Sequence, residues 1–270
     1  MKKIITTITI TMIIIITIII ISNSKPAKKK SSKTSSKIPY YNEKFKSRYQ
    51  KYRNTYPNLS EKDIITRVNI GLDNSYYTNT KVSPFLNKTY ILVNKYIYLP
   101  SDYIPKKLEI LNEEYSRSGM KLVKEAKVKL EEMITAAKKD NYQIRVMSSY
   151  RDYNYQLNLY NEYKKLDGKE KADTYSARPG FSEHQTGLCI DIDDGIKPYT
   201  SFENTASFKW MNDNSYKYGF ILRYPKDKEK ITGYSYESWH YRYVGEKIAK
   251  YMHKHNLTLD EYYVRFIEKQ

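Results

Sequence analysis

Residues 4–21 form an unbroken run of eighteen positions drawn only from Ile, Thr and Met, just long enough to span a bilayer as a helix. The pattern then inverts. Residues 22–37 carry serines and lysines with almost no apolar side chain, so they cannot bury enough surface to fold and read as a linker. Charges and tyrosines share residues 40–56, a stretch predicted to be helical. Ser60-Glu61-Lys62-Asp63 ahead of Ile64-Ile65 resembles a capping box with Asp in place of Glu, which starts a second helix. Residues 90–99 alternate β-forming side chains into Pro100 and predict a strand. Across residues 121–139, Leu122, Ala126, Leu130, Met133 and Ala137 fall at helical spacing and mark one buried face. Beyond them the pattern predicts strands at 143–147, 188–192, 220–223 and 239–244. Helices are predicted at 155–166, at 202–218 up to Gly219, and after Gly245.

Helices and short strands mixed without a regular βαβ repeat, and without any internal repeat, predict an α+β fold. The expected architecture is a single compact domain, a small mixed or antiparallel sheet flanked by helices, preceded by an N-terminal membrane segment. The chain divides into that segment (1–21), the Ser/Lys-rich linker (22–37), an N-terminal helical extension (38–84) and the main domain (85–270).

Charge changes this picture only in part. The 270 residues carry a net charge of +17, a balance that suits nucleic acid, an anionic membrane or an anionic wall polymer. Residues 1–37 hold eight lysines and no acid, which leaves +9 for the rest of the chain. The 30 tyrosines accompany abundant Ile, Lys and Asn, as in an AT-rich genome, so tyrosines among lysines are no sign of base stacking and no nucleic-acid partner is expected. Cys189 is the sole cysteine, which excludes an intrachain disulfide and a Cys-rich zinc module; within 188–192 it reads as a small apolar filler. The membrane segment ends in Ile-Ile-Ser-Asn-Ser, without an A-x-A pattern or lipobox cysteine, which favours an uncleaved anchor over a signal peptide whose cleavage would release the domain. Six lysines follow the segment and two precede it, a distribution that by the positive-inside rule would hold the C-terminal side in the cytoplasm.

Of the four histidines, His253 and His255 lie in a Lys-rich stretch and read as surface residues. His184 and His240 stand in unusual surroundings. A catalytic zinc needs three protein ligands and one open position for the water it acidifies. His184 and Asp191 offer two ligands, and His240 a third. Strand alternation puts Cys189, Asp191 and Asp193 on one face of 188–192, opposite Leu188, Ile190 and Ile192. An Asp in such an apolar run is costly unless paired or metal-bound, and on spacing alone a cap or salt bridge remains an open alternative. Glu237, three residues before His240, suits a general base that reaches the metal water without ligating.

These residues make the chain recognisable. Ser182-Glu183-His184-Gln185-Thr186-Gly187-Leu188-Cys189-Ile190-Asp191 carries an S-x-H-x-x-G-x-x-x-D motif, Glu237-Ser238-Trp239-His240 an E-x-W-H motif, and Ser148-Ser149-Tyr150-Arg151 with Gln156 an S-x-Y-R element. In these it resembles the bacterial D-alanyl-D-alanine carboxypeptidase and LD-carboxypeptidase family of zinc peptidases related to VanY. The likeness extends from about Phe85, through Leu92-Val93-Asn94-Lys95 and Leu99-Pro100-Ser101-Asp102-Tyr103, to about Tyr251. It departs at Cys189, where the family commonly has Ala.

The resemblance implies one Zn²⁺ per chain on His184, Asp191 and His240, with Glu237 as base. Arg151 would lie beside the substrate, either clasping the terminal carboxylate or stabilising the oxyanion. Gln156, Ser182 and Trp239 look like pocket residues, with helix-surface, loop-cap and core roles as their alternatives; Arg178, Arg223 and Arg242 read as structural. The implied substrate is a peptidoglycan stem peptide losing a C-terminal D-Ala, by DD- or LD-carboxypeptidase action. That substrate puts the domain outside the cell membrane, anchored by residues 4–21 or secreted, and the chain is expected to be monomeric. The competing reading is a non-catalytic peptidoglycan-binding module with a retained metal site, against which Glu237 argues.

Overall fold

The computed structural model describes residues 38–268; the membrane segment and linker expected at 1–37 lie outside them. Two short ribbons precede the main sheet. Strand β1 (Lys81–Val82) pairs parallel with β2 (Ile97–Tyr98), and β3 (Leu108–Ile110) pairs antiparallel with β4 (Lys121–Val123). The main sheet is built from β5 (Arg145–Ser148), β6 (Cys189–Asp193), β7 (Phe220–Leu222) and β8 (His240–Tyr243), in the spatial order β5-β6-β8-β7 and antiparallel throughout.

Nine α-helices surround these strands among the described residues: α1 (Lys46–Thr55), α2 (Glu61–Ile70), α3 (Lys124–Lys139), α4 (Tyr153–Asp167), α5 (Lys169–Tyr175), α6 (Ala206–Asn214), α7 (Glu229–Thr232), α8 (Glu246–His255) and α9 (Leu259–Tyr262). Helix α3 buries Ala126, Leu130, Met133 and Ala137 as its periodicity requires, against Val146, Ile190, Ile192 and Tyr241 of the sheet. The fold is thus α+β, with an antiparallel sheet backed by helices. Among the described residues no helix is long and apolar enough to cross a membrane.

Three boundaries differ from the sequence pattern, each for a local reason. Leu122 belongs to β4, where it opposes Glu109, and α3 begins only at Lys124. Most of 90–99 is irregular because the Asn94 side chain accepts the backbone N–H groups of both Tyr96 and Ile97, at 2.9 Å each, in place of a strand ladder. The stretch 202–218 breaks at Thr205, whose backbone is extended and whose hydroxyl caps α6 by accepting from Phe208 N. A 3-10 turn lies on each side of α6.

Helices α1 and α2 close a small core of their own from Tyr40, Tyr49, Tyr52, Ile64, Ile65 and Val68. Ser60 caps α2 by accepting from Asp63 N, one half of the expected capping box, while the Asp63 carboxylate accepts the Ser60 hydroxyl. Ile70, at the end of α2, joins Leu92, Val244 and Leu259 in a core shared with the main domain.

Candidate active site

One row of the sheet aligns the site. Asp191 in the middle of β6 pairs with Ser148 of β5 on one side and with His240 of β8 on the other. Side chains in one row project from the same face, so the row fixes Asp191 beside His240 without any contribution from loops. Arg151 follows Ser148 by three residues and Glu237 precedes His240 by three, which brings both to the same edge of the cleft. His184 arrives on a 3-10 turn (Glu183–Thr186) just ahead of β6. That turn ends at Gly187, with φ +64°, where a Cβ would meet Leu108 Cδ2 at 2.9 Å, Pro105 Cγ at 3.2 Å and Val123 Cγ2 at 3.3 Å. Only glycine fits both the left-handed backbone and the space.

The Asp191 carboxylate bridges two imidazoles. Oδ2 lies 3.2 Å from His184 Nε2, and Oδ1 lies 3.0 Å from His240 Nδ1. The remaining ring nitrogen of His184 donates Nδ1–H to the Ser149 carbonyl at 2.6 Å, which leaves Nε2 free to ligate. The rings stand nearly edge to face, 5.1 Å apart. Two imidazoles and a carboxylate converging on one point, all largely buried, fit the donor set of a catalytic zinc with one position open. Burial works against the Asp191 charge, yet His184 and His240 hold its carboxyl well below the usual carboxylate range.

Glu237 lies alongside without joining that set, its Oε2 3.8 Å from His240 Nδ1. Burial pushes its carboxyl up to about 7, His240 opposing the shift and Asp191 reinforcing it. A buried carboxylate beside the two imidazoles and Asp191, yet outside their set, has the placement of a general base. Arg151 Nη1 donates to Ser148 Oγ at 3.1 Å and lies 3.7 Å from Asp191 Oδ2, while its buried Nε has no hydrogen-bond partner.

All of these residues line one cleft of about 840 Å³, together with Gln156, Ser182 and Trp239. Gln156 is buried and donates Nε2–H to the Ala177 carbonyl at 2.8 Å, leaving Oε1 unpaired. Trp239 meets Tyr199 edge to face at 5.1 Å. Every residue singled out from the sequence motifs is therefore gathered here. His253 and His255 are exposed on α8, as expected.

Four features were not legible in the motifs. Tyr224 packs its ring 5.0 Å from that of His240, and Tyr163, Tyr199 and Tyr234 add aromatic wall. Cys189 is fully buried, as a filler would be, but its sulfur also lies within 4.8 Å of ring nitrogens of His184 and His240, and although burial opposes ionisation the two imidazoles lower its thiol to about 7. Glu183 lies behind His240, and Arg223 and Arg242 bind it. The signal for Tyr224 and the arginines was pairing across long sequence separations, which spacing does not reveal.

Residues 119–246 match the family model described as VanY, D-alanyl-D-alanine carboxypeptidase. The putative carboxypeptidase YodJ of Bacillus subtilis is 46% identical over 179 residues, 64% of this chain and 66% of that protein, a little under two thirds of its length. Among solved structures, the LD-carboxypeptidase LdcB, studied for its peptidoglycan recognition, superposes with a TM-score of 0.65 at 40% identity, covering 71% of this chain and 92% of that one. A vancomycin-resistance D,D-pentapeptidase VanY variant bound to Zn(II) superposes with a TM-score of 0.56 at 37% identity, covering 64% and 98%.

Proposed function

Since the chain belongs to the VanY family of D-alanyl-D-alanine carboxypeptidases, we propose that it is a zinc carboxypeptidase releasing a C-terminal D-Ala from peptidoglycan stem peptides. His184, Asp191 and His240 hold the metal. When bound, zinc supplies a Lewis acid that polarises the scissile carbonyl and makes a water acidic enough to lose its proton near neutral pH. Glu237 takes that proton as the water attacks and returns it to the departing amine. Arg151, with an unpaired buried N–H, offers charge either to the oxyanion that forms or to the substrate's terminal carboxylate. Gln156, Ser182 and Trp239 line the cleft around the peptide.

The observation that carries this reading is the position of Glu237, buried in the cleft 3.8 Å from a ligand nitrogen yet outside the ligand set. A module that only binds wall polymer has no use for a carboxylate there. The family likeness reaches both DD- and LD-carboxypeptidases. Incubation of the zinc-loaded protein with pentapeptide and tetrapeptide stems, followed by mass measurement, identifies which D-Ala leaves. Loss of one alanine from either stem is the expected result. No release from either, by protein carrying stoichiometric zinc, removes the enzyme reading.

Such a substrate lies outside the cell membrane, so residues 4–21 are proposed as an anchor and the domain as facing outward. The lysines of residues 25–37 would then hold it against anionic lipid or wall polymer.

A further inference from the structure

Behind the metal-facing side of His240 lies a buried charge network that the motifs do not specify. Glu183 occupies the open position of S-x-H, between Ser182 and His184. Its side chain is 1% exposed, and its Oε1 accepts from Arg223 Nε at 2.8 Å and from Arg242 Nη1 at 2.9 Å. Arg223 Nη1 in turn donates to Asp260 Oδ2 at 2.7 Å, and Asp260 Oδ1 accepts from Asn94 Nδ2 at 2.8 Å. Two carboxylates and two guanidiniums are thus buried together with their charges balanced.

One carboxylate oxygen is left over. Glu183 Oε2 is buried and makes no hydrogen bond; His240 Nε2 is likewise buried without a partner; the two face each other at 3.7 Å. An unpaired donor and an unpaired acceptor in a closed space are each costly, and pairing removes both costs. The other nitrogen of the same ring, Nδ1, is the one turned toward Asp191 and Glu237. A histidine that ligates through one nitrogen needs its proton on the other, and a carboxylate there fixes both tautomer and ring orientation.

We infer that Glu183 is a positioning residue for the metal site: its Oε2 takes a hydrogen bond from His240 Nε2–H, so that Nδ1 is presented unprotonated to the metal. Closing the 3.7 Å gap to a charge-assisted hydrogen bond of about 2.8 Å requires a movement of roughly 1 Å. Arg223 and Arg242 hold the carboxylate by its other oxygen, and Asp260 and Asn94 tie that grip to α9 and to the irregular segment before β2. The inference rests on zinc sitting on His184, Asp191 and His240.

With only four histidines in the chain, selective ¹⁵N-histidine labelling of the detergent-solubilised full chain resolves the tautomer directly. In the zinc-loaded protein His240 should carry its proton on Nε2, far downfield and protected from solvent exchange. A proton on Nδ1, or an Nε2–H exchanging freely, overturns the inference. Glu183→Asp keeps the charge that balances the arginines but withdraws the carboxylate by one methylene. Chelator competition should show its zinc Kd raised about 10- to 100-fold, with the metal-free variant still folded and the downfield resonance lost. Glu183→Gln should lose at least as much. If either folded variant binds zinc with the parental Kd, Glu183 serves charge balance alone and the inference fails. Should both variants fail to fold, the tautomer of the unaltered protein decides. A parental chain that takes up no zinc sinks the ligand assignment itself, a result distinct from parental zinc binding that Glu183→Asp leaves unchanged.

Discussion

Arg151 stands between the two demands of an exopeptidase. Its Nη1 is shared between Ser148 Oγ and the neighbourhood of Asp191, and its Nε is free, so it can serve a developing oxyanion or a terminal carboxylate. Arg151→Lys keeps the charge and loses the planar fork. A carboxylate clamp then shows as a raised KM with kcat nearly unchanged, and oxyanion stabilisation as an equal fall in kcat and kcat/KM. A variant with both constants at parental values would remove Arg151 from the site's chemistry. That His184, Asp191, His240 and Glu237 belong together was legible through the resemblance of their motifs to a known family; spacing alone left a cap or salt bridge open for Asp191. The part of Glu183 was not legible: it meets its arginines 40 and 59 residues away, and a Glu in a loop motif has no local feature that marks it as buried.

Elements carry those residues into register. The turn at Gly187 sets His184 relative to Asp191, and the Gly187 carbonyl also accepts the N–H of Val123, the last residue of β4 before α3. Gly187→Ala should cost about 1 to 3 kcal/mol, from the left-handed backbone and from crowding against Leu108. Chemical unfolding measures it, and parental stability would show that the turn relaxes without strain. A second element-level contact ties the extension to the domain. Lys95 is buried, donates to the Asp173 carbonyl, and lies over the rings of Tyr76 and Tyr234 at 4.5 and 4.4 Å. Burial pulls its amine from 10.5 down to about 8, with Asp173 opposing. Below about pH 8 folded and unfolded chains are both protonated there, and the full cost of burying the charge applies. Between about 8 and 10.5 only the unfolded chain keeps the proton, so stability rises with pH. The unfolding free energy of the parent minus that of Lys95→Met should therefore grow from pH 7.5 toward pH 10; a flat difference would mean that the lysine titrates normally. Asn94, next to it, shows why 90–99 misled the pattern: alternation predicted a ladder, but a side-chain oxygen took the two N–H groups the ladder needed.

At the scale of the whole molecule, the α+β class and the helix-backed sheet followed from periodicity, because α3 carries a regular apolar face and β6 alternates Ile with other side chains, although both faces of β6 are buried. The strand order β5-β6-β8-β7 did not, since it depends on pairings between segments tens of residues apart. Topology relative to the membrane has its own test. If residues 4–21 anchor an outward-facing domain, protease added to intact protoplasts should remove it, and protection would show that the lysines after the segment keep it in the cytoplasm. The central claim concerns chemistry at one carboxylate. Glu237→Gln keeps size and hydrogen bonding while deleting the proton acceptor, and the zinc ligands are untouched. The decisive measurement is D-Ala release from stem peptides by parent and variant at matched, verified zinc content. Turnover by the variant should fall by about 10²- to 10⁴-fold with zinc retained; a folded, zinc-loaded Glu237→Gln protein that releases D-Ala at the parental rate would contradict the account.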